Sequence, residues 1–203
     1  MKGVLIAGGI ALLALLLVGG CGVGAYNGIV TKQTRTEAAW SEIQNQYQRR
    51  FDLVPQLVAT VKGAAEFEQS TLTELTEARA SVGKVSLPAG VPDDPAKLKA
   101  FLEAQEKLSG ALSRLLVVAE NYPSLKATQN FLSLQDQLEG TENRLTVARR
   151  DYIEAVNAYN VSIRRFPGSL IAGMFGFEKH AQLEVPSGAT ERPAVEFDFG
   201  KKE

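Results

Sequence analysis

From Phe131 to Phe166 the residues Leu134, Leu138, Thr141, Leu145, Ala148, Tyr152, Ala155, Tyr159 and Ser162 recur at alternating steps of three and four. No other feature of the chain restricts its fold so tightly. A register of this kind, held over five heptads, draws one apolar stripe along a helix and favours a left-handed, coiled-coil-like wrap around neighbouring helices. At about 1.5 Å per residue, a helix from about Pro123 to Phe166 would be roughly 65 Å long. It cannot fold back on itself, so other helices must cover the stripe.

Two further segments supply the cover. Between about Tyr26 and Val82, the residues Trp40, Ile43, Tyr47, Val54, Leu57, Val61, Ala64, Leu72 and Leu75 share a helical stripe. Pro55 interrupts it, and proline inside a helix removes a hydrogen bond and crowds the preceding turn. The sequence therefore predicts a break or kink near Arg50–Val54, with Asp52 capping the new turn. Residues 83–95, "GKVSLPAGVPDDP", are a loop rich in helix breakers. Asp94 then caps a second helix with Pro95 at its first position, and that helix carries Leu98, Phe101, Leu102, Leu108, Leu112, Leu115, Leu116 and Ala119 as far as "ENYP". "FPGS" closes the third helix at Phe166–Ser169, and "LIAGMFGF" follows with one or two helical turns. The last stretch, "ERPAVEFDFGKKE", alternates apolar and charged residues. It is expected to lie extended along the bundle, with a strand seeking a partner edge as the alternative.

The expected class is all-α: an elongated up-and-down bundle of three long helices and a short fourth. Its N-terminus is an anchor. Residues 3–31 carry no charge, and Lys2 and Lys32 flank them. About 20 apolar residues suffice to cross a bilayer. Small residues precede Cys21 in "VGGC", so the segment reads either as an uncleaved transmembrane span, the preferred reading, or as a bacterial lipoprotein signal lipidated at Cys21. The expected organisation is 1–31 anchor or lipoprotein signal, 32–180 helical bundle and 181–203 extended tail. Basic residues after the span, from Lys32 to Arg50, leave the orientation open by the positive-inside rule. A lipidated Cys21 would mean export, and the bundle is placed on the non-cytoplasmic side of a bacterial cell membrane.

Composition excludes several classes of function. One cysteine, Cys21, and one histidine, His180, permit neither an internal disulfide nor a structural zinc cage. No metal, cofactor or catalytic residue is expected. A formal net charge of −1 gives no footprint for nucleic acid.

The densest polar stretch is "TENRLTVARRDY", Thr141 to Tyr152. On the register, Leu145, Ala148 and Tyr152 belong to the seam, while Asn143, Arg150 and Asn157 face solvent. Glu142 and Arg149 flank the seam on one shoulder, Arg144 and Asp151 on the other, where charges commonly fix which helix packs where. The first stripe brings Arg50 and Glu68 near seam positions, and a buried charge needs a partner. The sequence therefore predicts a polar layer of Arg50, Glu68, Glu142 and Arg149, paired as Arg50 with Glu142 and Glu68 with Arg149. Its expected role is register and specificity, and its second role a ligand or partner site.

These residues carry a resemblance. "AYNGIV", "AAWSEIQNQYQRRFDLVPQLVATVKGAAEFE" and "LTEARA" are similar to the N-terminal half of the LemA family. "AENYPSLKATQNFLSLQDQLEGTENRLTVARRDYIEAVNAYNVSIRRFP" is similar to its C-terminal half, and "PAVEFDF" to its closing pattern. Trp40, Arg50, Pro55, Glu68, Arg79, Glu142, Arg149, Tyr152, Tyr159 and Asn160 match the family pattern. The chain departs from it at Ile153, where many relatives have asparagine, and at "GAAEFE". The resemblance implies a bacterial or archaeal protein with an N-terminal membrane segment and a helical bundle, and it brings no catalytic residue or cofactor.

The expected function is a non-enzymatic cell-envelope scaffold or interaction module that meets the membrane, an envelope protein and copies of itself. The alternative is a sensor that binds a small ligand or peptide between the helices. A further, weaker reading pairs Glu66 or Glu68 with Glu142 for acid–base chemistry.

Overall fold

The structure is a computed structural model that describes residues 2–63, 67–85 and 90–183. Among these described residues six helices follow in order, α1 (Lys2–Lys62), α2 (Gln69–Lys84), α3 (Pro95–Ala119), α4 (Pro123–Lys126), α5 (Gln129–Ser162) and α6 (Gly168–Phe175), and no strand occurs. The bundle is all-α and elongated, as the seam requires.

The first segment differs from expectation. α1 is one helix of 61 residues, about 90 Å long, that carries the apolar N-terminus and the first bundle helix together. Pro55 lies inside it without ending it. Asp52 caps no new turn; it lies within the helix and accepts from Gln48 Nε2 at 2.9 Å. Proline deprives the Phe51 carbonyl, four residues back, of its usual N–H donor. A second helix supplies a substitute. Arg79 of α2 donates from Nε to the Phe51 oxygen at 3.4 Å, and its guanidinium lies over the Phe51 ring, 3.9 Å from the centroid. The chain breaks later, after Lys62, so the expected Tyr26–Val82 segment is two helices.

The other boundaries have local causes. Asp94 Oδ1 accepts from the backbone N–H groups of Ala96 and Lys97 at 2.8 and 3.4 Å, and Pro95 opens α3. The expected third helix is split near its start. Pro123 opens the single turn α4, and Thr128 then caps α5, accepting from Phe131 N at 3.4 Å. α5 ends at Ser162, and Phe166, expected on the seam, is 80% exposed. Gly176, at φ 72°, turns the chain after α6.

α1 and α5 run antiparallel: Trp40 meets Tyr152, Tyr47 meets Arg149 and Arg50 meets Glu142 in order. α2 returns beside α1 and α3 rises again, giving an up-and-down bundle. Leu57, Val61, Leu75, Leu108, Leu115 and Phe131 fill the core at one end. Trp40, Tyr47, Phe101, Leu145 and Tyr152 fill its middle. Ile29, Tyr159, Ile163 and Ala172 close the other end, where α6 packs on α1. A buried side chain of this size contributes about 1.5–3 kcal/mol, so these layers dominate the stability.

The segment after α6 is tied to α5 by side chains. Tyr159 Oη donates to the Glu178 carbonyl at 2.9 Å, and Tyr152 Oη donates to the Ala181 carbonyl at 3.0 Å. Asn160 donates to the His180 carbonyl at 3.0 Å and accepts from its N–H at 3.1 Å. Residues 177–183 thus run along α5 like a strand whose ladder is made of side chains. The alternating end of the tail lies outside the described residues.

Candidate functional site

A groove of about 650 Å³ opens between α3 and α5, beside Arg50 of α1. Arg50 and Gln105 reach it from the interior. Leu102, Ile153 and Leu183 give it apolar walls, and Glu106, Glu142, Glu154, Arg149 and Arg150 add charge.

Arg50 is 3% exposed and is paired with Glu142, which is 50% exposed. The expected pair is thus one buried cation held by a half-exposed anion. Burial lowers the Arg50 pKa, Arg149 lowers it further, and Tyr47 opposes both. Arg149 does not pair with Glu68. Its Nε and Nη2 donate to Tyr47 Oη at 3.2 and 2.5 Å, and its guanidinium lies 5.6 Å from the Tyr47 ring centroid, that of Arg50 lying at 5.9 Å. One tyrosine therefore stands between two guanidiniums.

Glu68 is a correction to the expected layer. Its carboxylate accepts from Ser70 Oγ at 2.9 Å and Thr71 Oγ1 at 3.3 Å at the start of α2. The backbone N–H groups at a helix start favour negative charge there. It does not line the groove, so Glu68 and Glu142 share no cleft. Glu66 lies outside the described residues. Tyr152 and Tyr159 are core rather than groove, and burial raises the pKa of each. Cys21 is exposed on α1.

Gln105 was not read from the sequence. It is 2% exposed, lines the groove, and its Oε1 has no hydrogen-bond partner. A signal existed: Phe101, Gln105, Leu108, Leu112 and Leu115 keep a four-three spacing, so Gln105 is a polar residue on an apolar seam. A buried carbonyl left unpaired costs about 1–3 kcal/mol, and because this oxygen is covered, a donor in the groove would recover that only once the Gln105 side chain turned toward it.

The groove presents the partly buried Arg149 guanidinium beside apolar walls, with the buried Arg50–Glu142 pair and the covered Gln105 amide behind it. It suits a segment that brings an acidic group and an apolar side chain. Among the described residues no three His, Cys, Asp or Glu side chains gather as a metal site. On α5 the exposed large apolar residues are Leu132 and Val147, too far apart for a continuous stripe.

Comparison with known proteins gives a consistent picture. A family model described as the LemA family matches residues 39–197. Two proteins of Paramagnetospirillum magneticum, named Magnetosome protein MamQ 1 and MamQ 2, are each 27% identical over 198 residues, covering 89% of this chain and 71% of the relative. Protein LemA of Metamycoplasma hominis is 25% identical over 150 residues, covering 74% of this chain and 64% of that protein.

Proposed function

The chain belongs to the LemA family, and we propose that it is a non-enzymatic interaction module of the bacterial cell envelope, held at the membrane by α1, whose groove between α3 and α5 receives a segment of a partner protein. The observation that carries this reading is that the buried Arg50–Glu142 ion pair and a buried Gln105 amide whose Oε1 has no partner stand together in the wall of one open groove. A core built for stability alone would fill such a space with apolar side chains, because replacing a buried ion pair in that way is often neutral or stabilising. A docking surface has reason to keep it.

α1 supports the anchor. It is long and apolar enough to cross a membrane, and Ile6, Ile10, Leu12, Leu13, Leu15, Leu16 and Leu17 are each at least 60% exposed along it. Water would not tolerate that surface on a folded chain, whereas lipid would. The small residues before Cys21 support the alternative form, in which residues 1–20 are removed and a lipidated Cys21 replaces the span as anchor, with the bundle on the non-cytoplasmic side in that case. Arg50, Glu142 and Arg149 then act as the polar determinants of docking, while Glu68 serves its own helix end.

The test is photo-crosslinking in intact cells, with a benzophenone side chain at Leu102 or Glu106 on the groove rim and at Leu132 as a remote control. A discrete adduct from both rim positions, absent from the control and abolished by Arg149→Glu, is the expected result. Adducts that are the same from rim and control, or that survive Arg149→Glu, refute the groove as the docking surface.

A further inference from the structure

The apolar surface of the bundle is distributed unevenly. Phe166, Leu170, Met174 and Phe175, crowded around α6, are 80, 60, 76 and 59% exposed. Leu170 and Met174 are four apart and share one side of α6, and Phe166 stands just before its start. The opposite side of α6 is mostly small, with Ile171 half-buried at its edge. Gly168 and Ala172 are buried, Ala172 beside Ile29, and a Cβ at Gly168 would collide with the Ser162 carbonyl oxygen. α6 therefore turns Gly168 and Ala172, with part of Ile171, inward, and Leu170, Met174 and Phe175 outward. This inverts the pattern of a helix packed on a protein in water.

Its position explains the inversion. The Tyr26 ring lies 4.8 Å from that of Phe175 and 5.8 Å from that of Phe177. Tyr26 and Ile29 belong to the last turns of the uncharged run 3–31. That run would extend about 43 Å as a helix, more than the roughly 30 Å of a hydrocarbon core. Its end thus falls in the headgroup zone when its start spans the core. α6 meets α1 at that level, and Gly176 then turns the chain back along α5. Tyrosine is favoured at this level of a bilayer. Arg164, Arg165 and Lys179 stand exposed on either side of α6, and Arg35 is exposed on the next turns of α1. Basic side chains beside an apolar helix face suit an anionic lipid surface.

We propose that α6 is a second membrane contact: Phe166, Leu170, Met174 and Phe175 enter the interfacial layer of the bilayer that α1 crosses, and Arg164, Arg165 and Lys179 meet lipid phosphates. This rests on the reading of α1 as a spanning anchor. A single helix would leave the bundle free to tilt and swivel, whereas a second contact fixes both motions and gives the groove a set direction above the membrane.

The experiment uses the full chain carrying Cys21→Ser and one new cysteine, at Leu13, Leu170, Met174 or Val117, labelled with a nitrobenzoxadiazole fluorophore. The protein is reconstituted into phosphatidylcholine–phosphatidylglycerol vesicles with plain or brominated acyl chains. Labels at 13, 170 and 174 are expected to lose emission in brominated lipid, and the label at 117, exposed on α3, is expected to keep it. Quenching at 13 without quenching at 170 and 174 overturns the α6 contact and leaves the anchor standing. Absence of quenching at 13 overturns both. Labels at 170 and 174 that are shielded from brominated lipid and from aqueous iodide alike would mean that protein, a second copy or a partner, covers the face, and would also overturn the proposal. The double variant Leu170→Glu with Met174→Glu should abolish quenching of a label at Phe175 while the helical circular dichroism is retained. Persistence of that quenching refutes insertion through this face.

Discussion

Replacing Pro55 by alanine should stabilise the protein, and by an amount that depends on Arg79. Proline in a helix interior is about 3 kcal/mol less favourable than alanine, through a lost hydrogen bond and a clash. In this chain the freed Phe51 carbonyl already has Arg79 Nε at 3.4 Å, and the same guanidinium covers the Phe51 ring. A hydrogen bond from a charged donor contributes about 1.5–3 kcal/mol at best, and this long, half-buried one should contribute about 1 kcal/mol. Pro55→Ala should therefore gain about 1–2 kcal/mol. Arg79→Met should lose about 1–2 kcal/mol in the chain that keeps Pro55. In the Pro55→Ala background it should lose only the ring contact, about 0.5–1 kcal/mol, because the alanine N–H then serves the carbonyl. The coupling in the four-protein cycle is about 1 kcal/mol. Melting the full-length variants in detergent micelles, followed by helical circular dichroism, resolves this, since 1 kcal/mol moves Tm by about 2–4 °C in a domain of this size. Equal losses from Arg79→Met in both backgrounds would refute the substitute hydrogen bond.

Three further outcomes follow from the core. Glu142→Ala strands the Arg50 cation and should cost about 2–3 kcal/mol, reduced from the fully buried case because Glu142 is 50% exposed, whereas Arg50→Met should cost under about 1 kcal/mol; urea melts showing the reverse order would contradict the pairing. Tyr152→Phe leaves the Ala181 carbonyl without its donor and should cost about 1–2 kcal/mol, with hydrogen exchange accelerating at residues near 181 more than in α2; uniform acceleration would count against a local tie. His180 stacks on Tyr159 at 4.6 Å, and burial holds its pKa below the usual imidazole value against the opposing pull of Glu37 and Asp93. The unfolded chain then binds the proton more readily, so the contribution of His180 is whole above the ordinary imidazole pKa and declines as pH falls through that value toward the folded one; His180→Phe should flatten this part of the urea-midpoint profile, and an unchanged slope would refute it.

The stripe on α5 was legible because burial on one side of a helix leaves a period, and Phe131 through Tyr159 are buried where the period puts them. Pro55 misled for a definite reason. Helix propensity is local, and the donor that keeps the helix intact arrives from Arg79, 28 residues from the carbonyl it serves. Glu68 misled because a continued stripe assumes a continued helix, whereas the break after Lys62 resets the phase. Thr128 was a readable cap, hidden by the more conspicuous Pro123. The groove was not legible at all. Periodicity says which side of a helix is covered, but a groove is a gap between two covered helices, and no residue marks a gap except a polar one on a seam, as Gln105 does.

The continuity of α1 links these readings. A break at Pro55 would have put a hinge between the anchor and the far half of the core. With the helix intact, Ile29 beneath α6 and Arg50 at the groove belong to one rigid rod, 21 residues and so about 30 Å apart. On the proposed function, a segment docked at Arg50 would be held at a set height above the level where Tyr26 meets Phe175, and Arg79 guards the helix just beyond it. Pro55 therefore sits where a failure of the helix would matter most to the far core. On that ground Arg79→Met should loosen the packing of α2 before it changes the height of the groove.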